Sequence, residues 1–251
     1  VLTVSLARRG ALDRDFVLVV DRLAHGDVGL LARDRVDPEG LVALTSFCPC
    51  IPAEGPGNVT VKVLVDCSGS MAGDSIDASR RALQDIVRQM RQGDRFSLSR
   101  FGSVIEHRAR GMWSVTDATR VAAQRWIGEL DANLSGTEMA AALESTFALG
   151  RNEPADVLII TDGEINAIDS TLETARASGH RLFVVGIGSS PAEIHLRRLA
   201  DATGGACDFV APGEAVEPAV LRMFARLRSP RLTGLAIEWP DDIRPAWMAP
   251  L

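Results

Sequence analysis

Val61-Lys62-Val63-Leu64-Val65-Asp66-Cys67-Ser68-Gly69-Ser70-Met71 begins as a mostly apolar run and ends in a carboxylate, two hydroxyls and a glycine. The apolar part reads as a strand buried on both faces, the kind a parallel sheet uses. Its end places Asp66, Ser68 and Ser70 two residues apart, where a buried strand must turn toward a helix. Hard oxygen donors of this kind suit Mg²⁺ or Mn²⁺ far better than zinc or copper. Taken alone, Asp-x-Ser-x-Ser also fits an ordinary strand-to-helix turn, because Asp, Ser and Gly are what turns and N-caps require.

Two further segments favour the cation. Ser135-Gly136-Thr137 follows a polar loop and opens an Ala-rich helix from Glu138 to Leu149, which sets a third hydroxyl at a helix start. Val157-Leu158-Ile159-Ile160-Thr161-Asp162-Gly163-Glu164 is a second apolar strand ending in a carboxylate and a glycine. Ligands of parallel sheets gather at the carboxyl ends of the strands, so three such loops can converge on one ion.

Asp66, Ser68, Ser70, Thr137 and Asp162 resemble, in type and order, the metal-ion-dependent adhesion site (MIDAS) of von Willebrand factor A domains. The likeness extends to Gly93-Asp94-Arg95-Phe96, to Phe101-Gly102 and to Leu182–Gly188, and covers about residues 58 to 229. It implies an α/β fold: a doubly wound, mostly parallel six-stranded sheet flanked by helices, Rossmann-like, with small β-rich flanking segments. It also implies that Ser68 and Ser70 bind Mg²⁺ (or Mn²⁺) directly. Thr137 would do so directly in one state and through water in another, and Asp66 and Asp162 would act mostly through bound waters. A partner protein's Glu or Asp carboxylate then completes the coordination, which makes the chain a binding module and not an enzyme. The residues leave a second reading open, a structural or scaffolding domain whose metal site is vacant or only stabilises the fold. Arg14-Asp15-Phe16-Val17-Leu18 and Ser229-Pro230-Arg231-Leu232 resemble the flanks of A-domain proteins that carry a VIT domain, as inter-alpha-trypsin inhibitor heavy chains do.

Composition narrows the alternatives. The 251 residues are 46% hydrophobic, enough for one α/β core and a smaller satellite. No apolar run approaches the roughly 20 residues of a membrane-spanning helix, so no membrane contact is expected. A net charge of -6 argues against a nucleic-acid surface, which needs a basic stripe. Of the 27 basic residues 26 are Arg, and the one lysine is Lys62. A P-loop, which needs Gly-Lys-Ser/Thr, and an aspartyl-phosphate phosphatase, which needs a second Asp where Ser68 stands, are both disfavoured. Neither Ser68 nor Ser70 lies in Gly-x-Ser-x-Gly. Gly186-Ile187-Gly188-Ser189-Ser190-Pro191 mimics a dinucleotide fingerprint but carries Pro at its third glycine, and reads as a strand-to-helix turn. His25, His107, His180 and His195 show no metal spacing and read as surface or strand-edge residues. Cys67 and Cys207 read as buried thiols, whereas Cys48 and Cys50 are too close for a zinc knuckle and leave a redox pair open. Without a disulfide pattern a reducing, cytoplasmic compartment is favoured over a secreted or surface-attached one.

Along the chain, residues 1–57 alternate short β-like runs with turns: Val1–Leu6, Phe16–Val20, Gly29–Ala32 and Leu41–Phe47, closed by a Pro/Gly linker at Pro52–Gly57. Residues 58–229 alternate strands (59–66, 95–101, 104–109, 156–161, 181–187, 206–210) with helices (75–92, 116–130, 138–149, 167–179, 192–203, 214–228). Asp74-Ser75-Ile76-Asp77 is expected to cap the first helix. Residues 230–251 return to a β pattern at Leu232–Trp239 and are expected to join the N-terminal segment in one sandwich. The missing initiator Met suggests a fragment of a longer protein.

Overall fold

A computed structural model describes residues 28–34, 40–46, 57–151, 153, 155–163, 168–188, 193–211 and 213–229. The expectations for Val1–Leu6, Phe16–Val20, residues 52–56, Leu232–Trp239 and the shared sandwich lie outside these residues, as do those for His25, Cys48, Cys50 and Pro191. The chain divides into two compact units, Val1–Ala53 and Glu54–Leu251. In the first, β1 (Val28–Arg33) pairs antiparallel with β2 (Leu41–Ser46), and Asp34 N donates to Gly40 O at 2.9 Å.

The second unit holds a seven-stranded sheet. Its strands are β3 (Thr60–Asp66), β4 (Arg95–Phe101), β5 (Ile105–His107), β6 (Trp113–Ser114), β7 (Asp156–Thr161), β8 (Leu182–Ile187) and β9 (Ala206–Val210). The order is β5-β4-β3-β7-β8-β9, with β6 pairing β4 as well. From β4 to β9 the neighbours are parallel, while β5 and β6 run antiparallel to β4. Six strands were expected; the seventh, β6, is a two-residue pairing too short to leave a periodic signal.

Helices cover both faces, as a parallel sheet requires. They are α1 (Asp74–Gln89), α2 (Asp117–Gly128), α3 (Met139–Ala148), α4 (Ile168–Ser178), α5 (Glu193–Ala202) and α6 (Val216–Arg228), all within two or three residues of their expected bounds. Alternation along β3 splits the core. Val61, Val63 and Val65 pack in a cluster with Ile76, Leu83 and Ile86 of α1 and Met223 and Phe224 of α6. Leu64 joins the opposite cluster with Met139, Ala142 and Leu143 of α3, Leu172 of α4 and Leu199 of α5.

Asp74–Asp77 does not cap α1 with a side chain. The N-cap is Gly73 at φ 82, a backbone state that glycine adopts freely, and Asp74 and Asp77 lie inside the first turn, where they favour the positive end of the helix dipole. No helix among the described residues is long and apolar enough to cross a membrane.

Candidate metal centre

The chain leaves β3 for β4 on one side and later returns past β3 to β7 on the other. The order therefore reverses between β3 and β7, and the loops that leave their carboxyl ends run to opposite sides, the place where such a sheet forms its crevice. Asp66 ends one strand and Thr161-Asp162 the other. The third loop is brought in by backbone: Cys67 N donates to Phe101 O (2.8 Å), Leu134 N to Cys67 O (2.9 Å) and Glu138 N to Gly102 O (3.0 Å). Gly102 permits this approach, since a Cβ there would overlap Leu134.

Asp66 is fully buried, and both of its oxygens accept protein hydrogen bonds. Oδ1 accepts from Ser68 N at 2.9 Å, and Oδ2 accepts from Thr161 Oγ1 at 2.6 Å. Thr161 Oγ1 in turn accepts from Gly163 N at 3.0 Å. Ser68 Oγ lies 3.1 Å from Ser70 Oγ, and Ser70 Oγ donates to Asp162 Oδ1 at 2.9 Å. Gly163 lies close to both Thr137 and Asp66: a Cβ on it would stand 2.5 Å from Thr137 Cγ2, 3.1 Å from Asp66 Oδ2 and 3.3 Å from Thr137 Oγ1. The fold thus brings Asp66, Ser68, Ser70, Thr137 and Asp162 to one place.

Thr161 is absent from the sequence-derived set although it directly holds Asp66. Its signal is the cross-strand register, in which Val65 pairs with Ile160, so the next residues, Asp66 and Thr161, are neighbours on one face. Register between distant strands is not visible in local sequence. Met71 is buried in the core and packs under the loop. Cys67 also joins the core on the side away from the hydroxyls; burial, ahead of nearby charges, pushes its thiol up to about 12 and makes it inert. Cys207 is half-buried, with its thiol likewise pushed up to about 12 by burial.

The donor set fits a hard divalent cation. Burial first, and the Asp66 charge after it, raise Asp162 above the usual carboxylate range, against the opposing hydrogen bond from Ser70. Two acids sharing a partly desolvated crevice favour a positive charge between them. Among the described residues no three His, Cys, Asp or Glu side chains cluster to hold a metal, so hydroxyls dominate the available ligands. That composition matches the oxygen preference of Mg²⁺ and Mn²⁺ and lacks the soft donors a structural zinc site uses.

Gly163→Ala tests the closeness of this packing. Its methyl must displace Thr137 or the Asp162 loop, and Mn²⁺ affinity measured by calorimetry is expected to fall about tenfold or more. An unchanged affinity would show that Thr137 contributes nothing at this point.

One histidine expectation is corrected here. His180 is buried, with Nε2 at 2.6 Å from Lys62 Nζ, because the turn between α4 and β8 sets it against Lys62 of β3 and the Phe147 ring of α3. His107 stays at the strand edge, between Ser99 Oγ and Ser145 Oγ at 2.7 Å each.

A parallel sheet wrapped by helices, with oxygen donors from three loops at its switch point, defines an α/β domain of the A type. Residues 59–209 match the von Willebrand factor type A domain model, and the chain belongs to that family. It is 26% identical over 94% of its length to human von Willebrand factor A domain-containing protein 5A, covering 33% of that protein. It is 23% identical over 96% of its length to a von Willebrand factor A domain-containing protein of Dictyostelium discoideum, covering 30% of that one. The chain therefore spans about a third of the length of these curated relatives. Among solved structures it resembles a von Willebrand factor type A protein from Catenulispora acidiphila (TM-score 0.61, 18% identity, 80% of this chain and 46% of that one). It also resembles proximal thread matrix protein 1 of the mussel byssus, solved with a zinc-occupied MIDAS motif (TM-score 0.55, 17% identity, 69% of this chain and 46% of that one). Domains of this family commonly mediate protein interactions.

Proposed function

We propose that this domain is a metal-dependent protein-interaction module, in which Asp66, Ser68, Ser70, Thr137 and Asp162 hold Mg²⁺ or Mn²⁺ and a partner's Glu or Asp carboxylate binds there. The observation that carries the reading is the convergence of these residues from three loops at the switch point: Ser68 beside Ser70, Ser70 on Asp162, Asp66 on the Ser68 N–H, and Thr137 against Gly163. When bound, the cation supplies a strong positive charge that its mostly neutral oxygen donors leave unquenched. Ser70 is exposed, so the hydroxyl edge of the site is open to a partner, whereas buried Asp66 anchors the floor. Catalysis has little support from the residues around the hydroxyls. Ser99 and Ser145 hold the His107 ring nitrogens, His180 Nε2 faces Lys62, and the carboxylate that Ser70 meets is Asp162, itself one of the proposed cation-holding residues.

The internal hydrogen bonding from Ser68 through Ser70 to Asp162 favours a second reading, a scaffold whose loops a cation only stabilises. Immobilised protein exposed to lysate of its source in Mg²⁺ and in EDTA, beside Ser70→Ala, separates the two. Capture that needs both Mg²⁺ and Ser70 supports the interaction module. Capture indifferent to EDTA, with a melting temperature that still rises in Mg²⁺, supports the scaffold. Cation at about 100 times its Kd is expected to add about 2.7 kcal/mol of stability.

The VIT-type context and the division at residues 57 and 229 belong to the same proposal. The likeness of the segments around Arg14–Leu18 and Ser229–Leu232 to VIT-carrying proteins supports them.

A further inference from the structure

Lys62, the one lysine of the chain, is fully buried on the face of β3 that also carries Asp66. Four residue steps along the strand separate the two, about 13 Å. The α3 helix, ten residues and about 15 Å long, runs back alongside. Leu64, Met139, Ala142 and Leu143 fill the space between. Near its N-terminus stands Thr137, against Gly163. At its other end Lys62 Nζ donates to Phe147 O at 3.1 Å, a carbonyl of the last helical turn that has no intrahelical partner to accept from. A buried cation at that end also suits the helix dipole. The helix is thus held against β3 by the apolar layer between them and, at its lower, carboxyl end, by the Lys62 tie.

The lower tie depends on His180. Its Nε2 lies 2.6 Å from Lys62 Nζ, and an ammonium can only donate, so the imidazole there must be neutral and accepting. The Phe147 ring packs edge-on to the imidazole at 5.2 Å. From β7, Asp156 faces the pair, but Arg181 binds both of its carboxylate oxygens. Glu153 acts on Lys62 from the preceding loop. Ser178 Oγ accepts from the His180 backbone N–H. No carboxylate among the described residues touches the imidazole to compensate a second charge. Ser97 Oγ and Thr146 Oγ1, both buried in the same layer, have no hydrogen-bond partner among the described residues, so this seam grips less firmly than a fully paired one.

We propose that the buried Lys62–His180 pair positions α3, and with it Thr137 of the cation site, and that protonation of His180 releases this hold in mild acid. The regulatory half rests on the cation-site reading. Burial, then the Lys62 charge, lowers the His180 pKa below its ordinary 6.5. Burial lowers Lys62 to about 8, which leaves it mostly an ammonium at neutral pH. The unfolded chain therefore takes up the histidine proton first. The hold is complete between pH 6.5 and the Lys62 value of about 8, and is lost as pH falls below 6.5, when two positive charges would face each other.

The test compares the wild type with His180→Gln, whose amide oxygen accepts from Lys62 without titrating, and with Lys62→Met, which removes the opposing charge. Backbone hydrogen exchange of α3, corrected for intrinsic rates, is measured without metal at pH 7.5 and 5.5, and Mn²⁺ affinity by calorimetry at the same values. Expected in the wild type are loss of α3 protection and an additional fall of about fivefold in Mn²⁺ affinity at pH 5.5, relative to both variants. Equal α3 protection at both pH values, or variants whose pH response parallels the wild type, overturns the proposal. Absence of Mn²⁺ binding at every pH overturns the cation-site reading instead, and selective acid loss of α3 protection would still support the hold on the helix.

Discussion

Asp66→Asn is expected to cost about 100-fold in Mn²⁺ affinity while leaving the fold in place. Asp66 sits fully buried at the floor of the crevice, with Ser68 N–H on one oxygen and the Thr161 hydroxyl on the other. Asparagine keeps the oxygen that accepts from Ser68. Its amide nitrogen can face Thr161, whose hydroxyl rotates to accept, since a hydroxyl has two lone pairs and Gly163 N occupies one. The hydrogen-bonded frame survives, and the negative charge does not. Calorimetry with Mn²⁺ and circular dichroism of the same sample check both halves. Affinity within a few-fold of wild type would remove Asp66 from the site, and with it the argument that the strand ends form a cation centre. Asp66→Ala is a poorer probe because it strands two buried donors, at about 1–3 kcal/mol.

Asp94→Ala is expected to be the most damaging single change to stability, about 3–5 kcal/mol. Asp94 is fully buried just before β4. It accepts from Val59 N at 2.9 Å, from Arg91 N at 2.8 Å and from Arg228 at 2.6 Å. The carboxylate therefore joins three parts of the domain: the entry to β3, the turn after α1 and the last turn of α6. Alanine leaves two backbone donors unpaired and a guanidinium, itself largely buried, without its counter-charge. At about 2–4 °C per kcal/mol for a domain of this size, melting should fall by about 10 °C. A fall of under about 2 °C would mean that Arg228 swings to solvent at little cost. Cation affinity should change little in the folded fraction, because Asp94 lies at the amino end of the sheet and the site at the carboxyl end.

These two aspartates differ in how far the sequence reveals them. Asp66 was legible because strand, carboxylate and hydroxyls are contiguous, and the chemistry of a hard cation follows from the residue types. Asp94 stands in a run that resembles the family, but its role rests on Arg228, 134 positions away, which no local pattern links to it. The helices were legible from their periodicity, and the central strands from continuous apolar runs such as Val61–Val65 and Val157–Ile160. β6 was not, because two residues carry no period. The cap of α1 was misplaced by one motif: Asp74 and Asp77 look like capping residues, but a positive φ at Gly73 does the turning.

The set of parts is written in the linear chain: alternating strands and helices, and oxygen donors in the order Asp66, Ser68, Ser70, Thr137, Asp162. Periodicity and turn chemistry are local properties, and they are written in consecutive residues. Which parts meet is set by the folded arrangement. It set Thr161 on Asp66, it pressed Gly163 against Thr137, and it buried Lys62 and His180 together beneath α3. The physical reason is register and packing between strands and helices far apart in the chain, where the partner that satisfies a buried charge is chosen by the whole fold.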